Sequence, residues 1–417
     1  MDRGIPLPFM TPLMNKYFSI FSCTFVHLAL TEILLSSQLF AFDIQKTDSG
    51  KKQSYLIPFA FYQQGFVLPS NDFVRGNNQK QTPISFFRAA SVQLAKQTTG
   101  EKLWEQLYRF PRYGFGIYTA QFINSTELGQ PVTVYGMFNL PLKQWTILSL
   151  NLDFGAGYSF NWKSFDEDKY NIAMGAKVSA YVDAGPSLEY TFENGILLDF
   201  GASVTHFSNG AMKKPNFGIN TIAPKISLGY NMNGRRKNFN YQDVPEFHKK
   251  SEFFTSFFTG WENEIYKSTD VDSVTKFYGA TYPAFGISAT FNRQISYKSK
   301  IGIGIMADYF GAANPIISVV DGILEDKHAS FKEGFQLSIF PSYELVINRF
   351  SLVAQEGIYL YRAKYSFLRT PSVYQRLGFK YEVFKDFTIG AYIRMYNYNT
   401  SHFIEWTLGY RFHLKTP

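Results

Sequence analysis

The chain has 417 residues, of which 45% are hydrophobic, enough for one large or two modest domains. Its formal net charge of +8 suits an anionic partner, but no Lys/Arg-rich stripe lies on a nucleic-acid-binding motif, so nucleic acid is set aside in favour of a lipid surface. Aromatic residues reach 18%, with 43 Phe and 28 Tyr, a bias shared by strands and membrane interfaces.

In chain order, Arg3 and Lys16 precede an apolar run from Tyr17 to about Leu30, followed by polar Thr31, Glu32 and Ser36. The run is short and interrupted by His27, which fits a secretory signal peptide over residues 1–41, cleaved near Ala41 in "LFAFD", better than a spanning helix. Met14 offers a tidier start. The one cysteine, Cys23, lies inside this segment, and bulky Phe21 makes a poor lipoprotein box. A mature chain without cysteine has no disulfide, thiolate nucleophile or Cys-ligated metal.

From residue 53 onward the pattern is strand after strand. Between Ala176 and Phe192, one face carries Val178, Ala180, Val182, Pro186, Leu188 and Tyr190, and the other Ser179, Asp183, Ser187 and Glu189. The same period-2 alternation recurs in Ile301 to Tyr309, Phe387 to Met395 and Ile404 to Phe412. Many runs match the ~9–11 residues of a membrane-crossing strand, which predicts an all-β, antiparallel transmembrane barrel of the outer membrane. Roughly sixteen strands are expected. Short links near Lys143, at Glu193–Gly195, near Tyr297, at Asn348 and at Lys385 read as periplasmic turns, and the longer links as external loops. One link breaks the pattern: residues 234–250 are long and polar, yet occupy a short-turn slot. They follow "KISLGY", which the terminal "WTLGY" echoes. Two arrangements fit: eight-stranded barrels at 53–233 and 251–417 joined by a linker, or one barrel of about 14–16 strands with an overlong turn. If the halves are separate, the region after about Lys250 is dispensable for any chemistry in the first.

The segment "SVTHFSNGAMKKPNFGIN", from Ser203 to Asn220, carries the candidate chemistry. His206 and Ser208 continue the apolar row of Ile196, Leu198, Phe200, Ala202 and Val204, the lipid face of a barrel. A hairpin brings Asn220, in phase with Ile222 and Ile226, close to His206. Ser208 is then a nucleophile, His206 its base, and Asn220 the group that orients the imidazole, without the charge a carboxylate would add. Asn209 and the Gly210 amide are candidate oxyanion donors. Lys213 and Lys214 lie at the height of lipid phosphates. H-x-S alone is a weak pattern, since Ser, His and Asn at a barrel rim are ordinary interface residues. His248, His328, His402 and His413 show no metal-ligand spacing, "DEDK" at Asp166–Lys169 reads as a solvated loop, and no phosphate-cradling or dinucleotide motif is present. Neither a metal nor a cofactor is implied.

"HFSNGAMKKPNFGIN" resembles the PagL-type lipid A 3-O-deacylases and their acyloxyacyl hydrolase-like relatives. His206, Ser208, Asn209, Gly210, Pro215, Asn216, Gly218 and Ile219 match the pattern, and Tyr108 to Leu142 is similar to its upstream strands. The resemblance covers about Tyr55 to Asn233. It implies an eight-stranded outer-membrane barrel with its site on the outer wall, lipopolysaccharide as substrate, and hydrolysis of the acyl ester at position 3 of lipid A without a metal. The best-known members carry Glu at the place of Asn220, which puts full activity of this chain in question. The rival readings are a non-catalytic channel or surface and assembly protein keeping a relic of the motif, and a transporter of hydrophobic compounds. The sequence sets no oligomeric state.

Overall fold

The computed structural model describes residues 55–414 apart from 124, 233–238, 270–274, 315, 321–322 and 364–370; the expected signal segment, 1–41, lies outside the described residues. Two closed antiparallel barrels of eight strands each account for the fold. The first is β1 (Tyr55–Val67), β2 (Phe86–Gln97), β3 (Arg112–Phe122), β4 (Gly129–Gln144), β5 (Leu148–Trp162), β6 (Ser179–Thr191), β7 (Ile196–Ser208) and β8 (Ile219–Tyr230). A short helix, α1 (Leu103–Leu107), sits between β2 and β3. The second barrel runs β9 (Lys250–Thr269), β10 (Thr275–Gln294), β11 (Ser299–Phe310), β14 (Phe335–Ile347), β15 (Phe350–Arg362), β16 (Val373–Phe384), β17 (Phe387–Tyr396) and β18 (Thr400–His413). Between β11 and β14 lie a small hairpin, β12 (Ile316–Val320) with β13 (Ile323–Lys327), and one turn of helix, α2 (Phe331–Gly334).

The single-barrel alternative fails at the seams. β8 pairs with β1, with Phe61 opposite Ser227, so the first sheet has no edge left for β9. β18 closes on β9 in the same way, with Leu408 opposite Phe257. The repeated "LGY" marks these two closing strands. A Cβ on Gly229 would come within 2.3 Å of the Phe59 ring, and one on Gly409 within 2.3 Å of the Phe254 ring. Each last strand thus makes room for a phenylalanine of its barrel's first.

Alternation places the apolar row outward and the polar row inward. On β6, Val182 is 50% exposed while Glu189 is 1% exposed. On β8, Ile226 and Leu228 are exposed and Lys225 and Ser227 buried. A wall of exposed large apolar side chains around a polar interior is unfavourable in water and favourable in hydrocarbon. Several lumen charges are ion-paired: Lys225 Nζ with Asp153 at 2.8 Å and Arg112 with Glu189 in the first barrel. In the second, Arg394 bridges Asp308 at 2.9 Å and Glu405 at 2.6 Å, and Lys380 meets Glu344 at 2.6 Å. Side chains fill barrels of this size: the cavity beside Asp153 and Lys225 holds about 30 Å³, and that beside Lys300 and Arg411 about 130 Å³.

Both barrels begin and end at the same end, where the link lies, so their strands run in the same sense. They touch there. The Tyr108 hydroxyl, just after α1, donates to the Val346 carbonyl at 2.7 Å, and the Lys298 ammonium sits 5.0 Å from the Tyr108 ring centre. The link packs on each barrel in turn, Phe239 stacking on Phe110 at 4.5 Å and Phe247 meeting Tyr297 at 4.9 Å.

Candidate active site

The site grows out of the β7–β8 hairpin at the end opposite the link. Phe207 points into the lumen and is fully buried against Trp162 at 4.9 Å, Tyr181 at 5.4 Å and Tyr118 at 6.3 Å. Burial of such a ring contributes about 1.5–3 kcal/mol. It fixes the phase of the strand end: with Phe207 anchored inward, His206 must face outward. His206 is opposite Asn220 in the β7–β8 register, and its Nδ1 lies 2.7 Å from Asn220 Oδ1. An amide oxygen only accepts, so Nδ1 carries the proton and Nε2 keeps its lone pair, the state a general base needs.

Ser208 is placed differently from what alternation alone suggests. β7 ends at Ser208, residues 209–218 turn back over it, and the side chain is buried rather than displayed on the wall. Its Oγ accepts two hydrogen bonds, from the Gly210 amide at 3.1 Å and from Asn216 Nδ2 at 2.7 Å. Asn216 is held in turn by the Asn209 amide, which donates to its Oδ1 at 3.0 Å. A Cβ on Gly218 would lie 2.9 Å from His206 Cε1 and 3.5 Å from Ser208 Cβ, so imidazole and serine flank one small space. No hydrogen bond joins Ser208 Oγ to His206 among the described residues; in free enzymes such bonds are commonly long and tighten with substrate.

For three of the candidate residues the structure gives other partners. The Asn209 side chain is engaged in its own turn, its Nδ2 donating to the Lys213 carbonyl at 2.8 Å, so its carboxamide is not aimed at Ser208. The two donors that do reach the serine oxygen are the Gly210 amide and Asn216. Asn216 appeared in the sequence only as a matched position without a role; its signal was a second Asn in a short loop beside the serine. Lys213 and Lys214 are both ion-paired, Lys213 with Asp166 and Lys214 with Glu264 at 2.9 Å. The hydrogen bond from Lys213 holds the exposed Asp166 carboxyl below the usual carboxylate range.

Neighbouring loops pack around residues 209–218. The Phe217 and Gly218 amides donate to the Ile172 and Ala173 carbonyls at 3.1 and 3.0 Å, and Asn71 Nδ2 donates to the Gly218 carbonyl at 2.8 Å. The arrangement offers an activatable hydroxyl, an imidazole with a free Nε2, an orienting amide, and two donors about 3 Å from the nucleophile oxygen. That set suits attack on an ester carbonyl with stabilisation of the resulting oxyanion. Among the described residues, no group of three His, Cys, Asp or Glu side chains converges as a metal set.

Two family models match the chain: lipid A 3-O-deacylase (PagL) over residues 89–231, and acyloxyacyl hydrolase, C-terminal domain, over residues 251–414. No curated protein matches. Solved structures that align include the P. putida toluene transporter TodX, at 8% identity over 87% of this chain and 90% of that one with a TM-score of 0.19. The CymD monoaromatic hydrocarbon channel aligns at 9% identity over 87% and 88%, TM-score 0.20. A mutant Rh. blastica porin aligns at 5% over 86% and 100%, TM-score 0.15.

Proposed function

Because the chain carries a lipid A 3-O-deacylase (PagL) domain joined to an acyloxyacyl hydrolase C-terminal domain, we propose that it is an outer-membrane esterase that releases the acyl chain at position 3 of lipid A and so remodels lipopolysaccharide. The observation that carries this reading is the convergence on Ser208 Oγ of two donors beside a histidine whose Nδ1 is bonded to Asn220. In the proposed reaction Ser208 Oγ attacks the ester carbonyl as His206 Nε2 takes its proton. As the Oγ lone pair bonds the carbonyl carbon, the Gly210 amide and Asn216 Nδ2 pass from Oγ to the adjacent carbonyl oxygen and receive the charge that develops there. The tetrahedral species collapses, the sugar oxygen leaves with the proton from Nε2, and an acyl-Ser208 remains. Water, deprotonated by the same nitrogen, releases the fatty acid.

The apolar outer wall supports membrane insertion, so a lipid reaches His206 laterally without leaving the bilayer. Filled, ion-paired lumens support a wall site over a pore. Mass spectrometry of lipid A incubated with the purified protein tests the reading. The parent should remove one acyl chain, and Ser208→Ala should slow release by ~10³-fold or more. Equal release by Ser208→Ala removes the serine from the chemistry.

A further inference from the structure

The loop that holds the oxyanion donors is not supported by the first barrel alone. Gly210 has φ +64, and a Cβ there would lie 2.7 Å from Ile404 Cδ1 and 3.8 Å from Ile393 Cδ1. Both isoleucines belong to the second barrel, paired across β17 and β18. Ile404 therefore packs against Gly210, the residue whose amide donates to Ser208. Four residues along, the Lys214 amide donates to Asn263 Oδ1 at 2.9 Å and its ammonium to Glu264 Oε1 at 2.9 Å, both on β9. On the outer face of β18, Leu408 is 51% and Trp406 40% exposed, while Ile404 is half-buried; burial deepens toward the loop.

We propose that the rim of the second barrel, where Ile404 and Asn263 lie on outer rows and Glu264 on the row of buried Glu262, is a buttress for the oxyanion loop of the first, with Ile404, Asn263 and Glu264 as positioning residues for the Gly210 amide and Asn216. The proposal rests on the esterase reading above and gives residues 251–414 a part in it. Donors stabilise an oxyanion only when held within about 0.5 Å of the productive geometry, so a ten-residue loop gains from contacts that fix its backbone on both sides. Loops 163–178 and 68–85 fix one side; the second barrel fixes the other. A first barrel cut from its partner would lack all three contacts, which reverses the expectation that the region after Lys250 is dispensable.

The test uses the full chain in detergent, with kcat and KM for acyl release from lipid A and amide hydrogen exchange across residues 209–216. Glu264→Lys and Lys214→Glu each should lower kcat by roughly tenfold or more with KM and pH profile little changed, and speed exchange across the loop. The double variant, which restores the pair in reverse, should recover both. Ile404→Ala should behave like the single variants and Ile404→Val like the parent. Asn263→Ala, which removes the acceptor of the Lys214 amide and no charge, along with two long bonds to Ala280 and Thr281, serves if charge reversal harms folding, read by heat-modifiable migration. Unchanged kcat and exchange in all of these overturns the proposal; a raised KM at constant kcat also does, assigning the rim to lipid binding. If the parent shows no Ser208-dependent release, the esterase reading fails, and the exchange data alone decide whether the rim orders the loop.

Discussion

The two barrels share strand number, strand sense and closing geometry, yet differ at their last hairpins. In the first, β7 and β8 are joined by ten residues that fold back over Ser208, and His206 faces outward to Asn220. In the second, residues 397–399 join β17 and β18 tightly, and His402 points inward, 2.5 Å from Glu262 and packed against Phe310 and Tyr396. Both hairpins carry a histidine, but only the first has a loop that brings hydrogen-bond donors to a neighbouring serine. A barrel supplies a rigid rim; what the rim can do depends on the phase of one side chain and the length of one loop.

The sharpest way to break this contrast is to remove each histidine. His206→Ala should lower acyl release by ~10³-fold or more, because base and nucleophile act as a unit. His402→Gln should change release by no more than a few-fold, and show itself in the melting of the second barrel. Comparable losses from both would mean that the two hairpins share the chemistry. Next in size is Asn216→Ala, which deletes one of the two donors to Ser208 Oγ and should cost about 10²–10³-fold in kcat with little change in KM.

The closing glycines test what the barrels have in common. Gly229→Val and Gly409→Val each drive a side chain into a phenylalanine of the first strand, and overpacking of this kind costs about 1–3 kcal/mol. Each should lower the temperature at which its own barrel loses heat-modifiable migration, and similar shifts would confirm the shared closure. The smallest change expected is at the orienting amide. Asn220→Ala should reduce the rate less than His206→Ala, because the amide orients the ring without adding charge, and Asn220→Glu should retain or raise it by stabilising the imidazolium. A slower Asn220→Glu would show that the site is built around the amide.

Much of this was legible in the sequence because barrel alternation is local. Val182, Leu188 and Leu228 mark the outer face, and Asp183, Glu189 and Lys225 the lumen, from period 2 alone. The "LGY" echo suggested two halves, and closure of β8 on β1 gives it a cause. His206 opposite Asn220 follows from hairpin phase. What escaped depends on chain segments far apart or on loop geometry. Burial of Ser208 needs the turn after β7, the role of Asn216 needs the loop's fold-back, and the ion pair of Lys214 joins residues fifty positions apart. Alternation describes what a strand presents on each side and is silent on which barrel stands beside it.

The most direct measurement is covalent. The protein, with both barrels intact, is incubated with a long-chain alkyl fluorophosphonate, which traps an activated serine as its phosphonyl ester, and the adduct is mapped by peptide mass spectrometry. The account predicts one adduct, on Ser208, lost in His206→Ala, and none in residues 251–414. Labelling of a serine in the second barrel, or none at Ser208 in a preparation that deacylates lipid A, would contradict it.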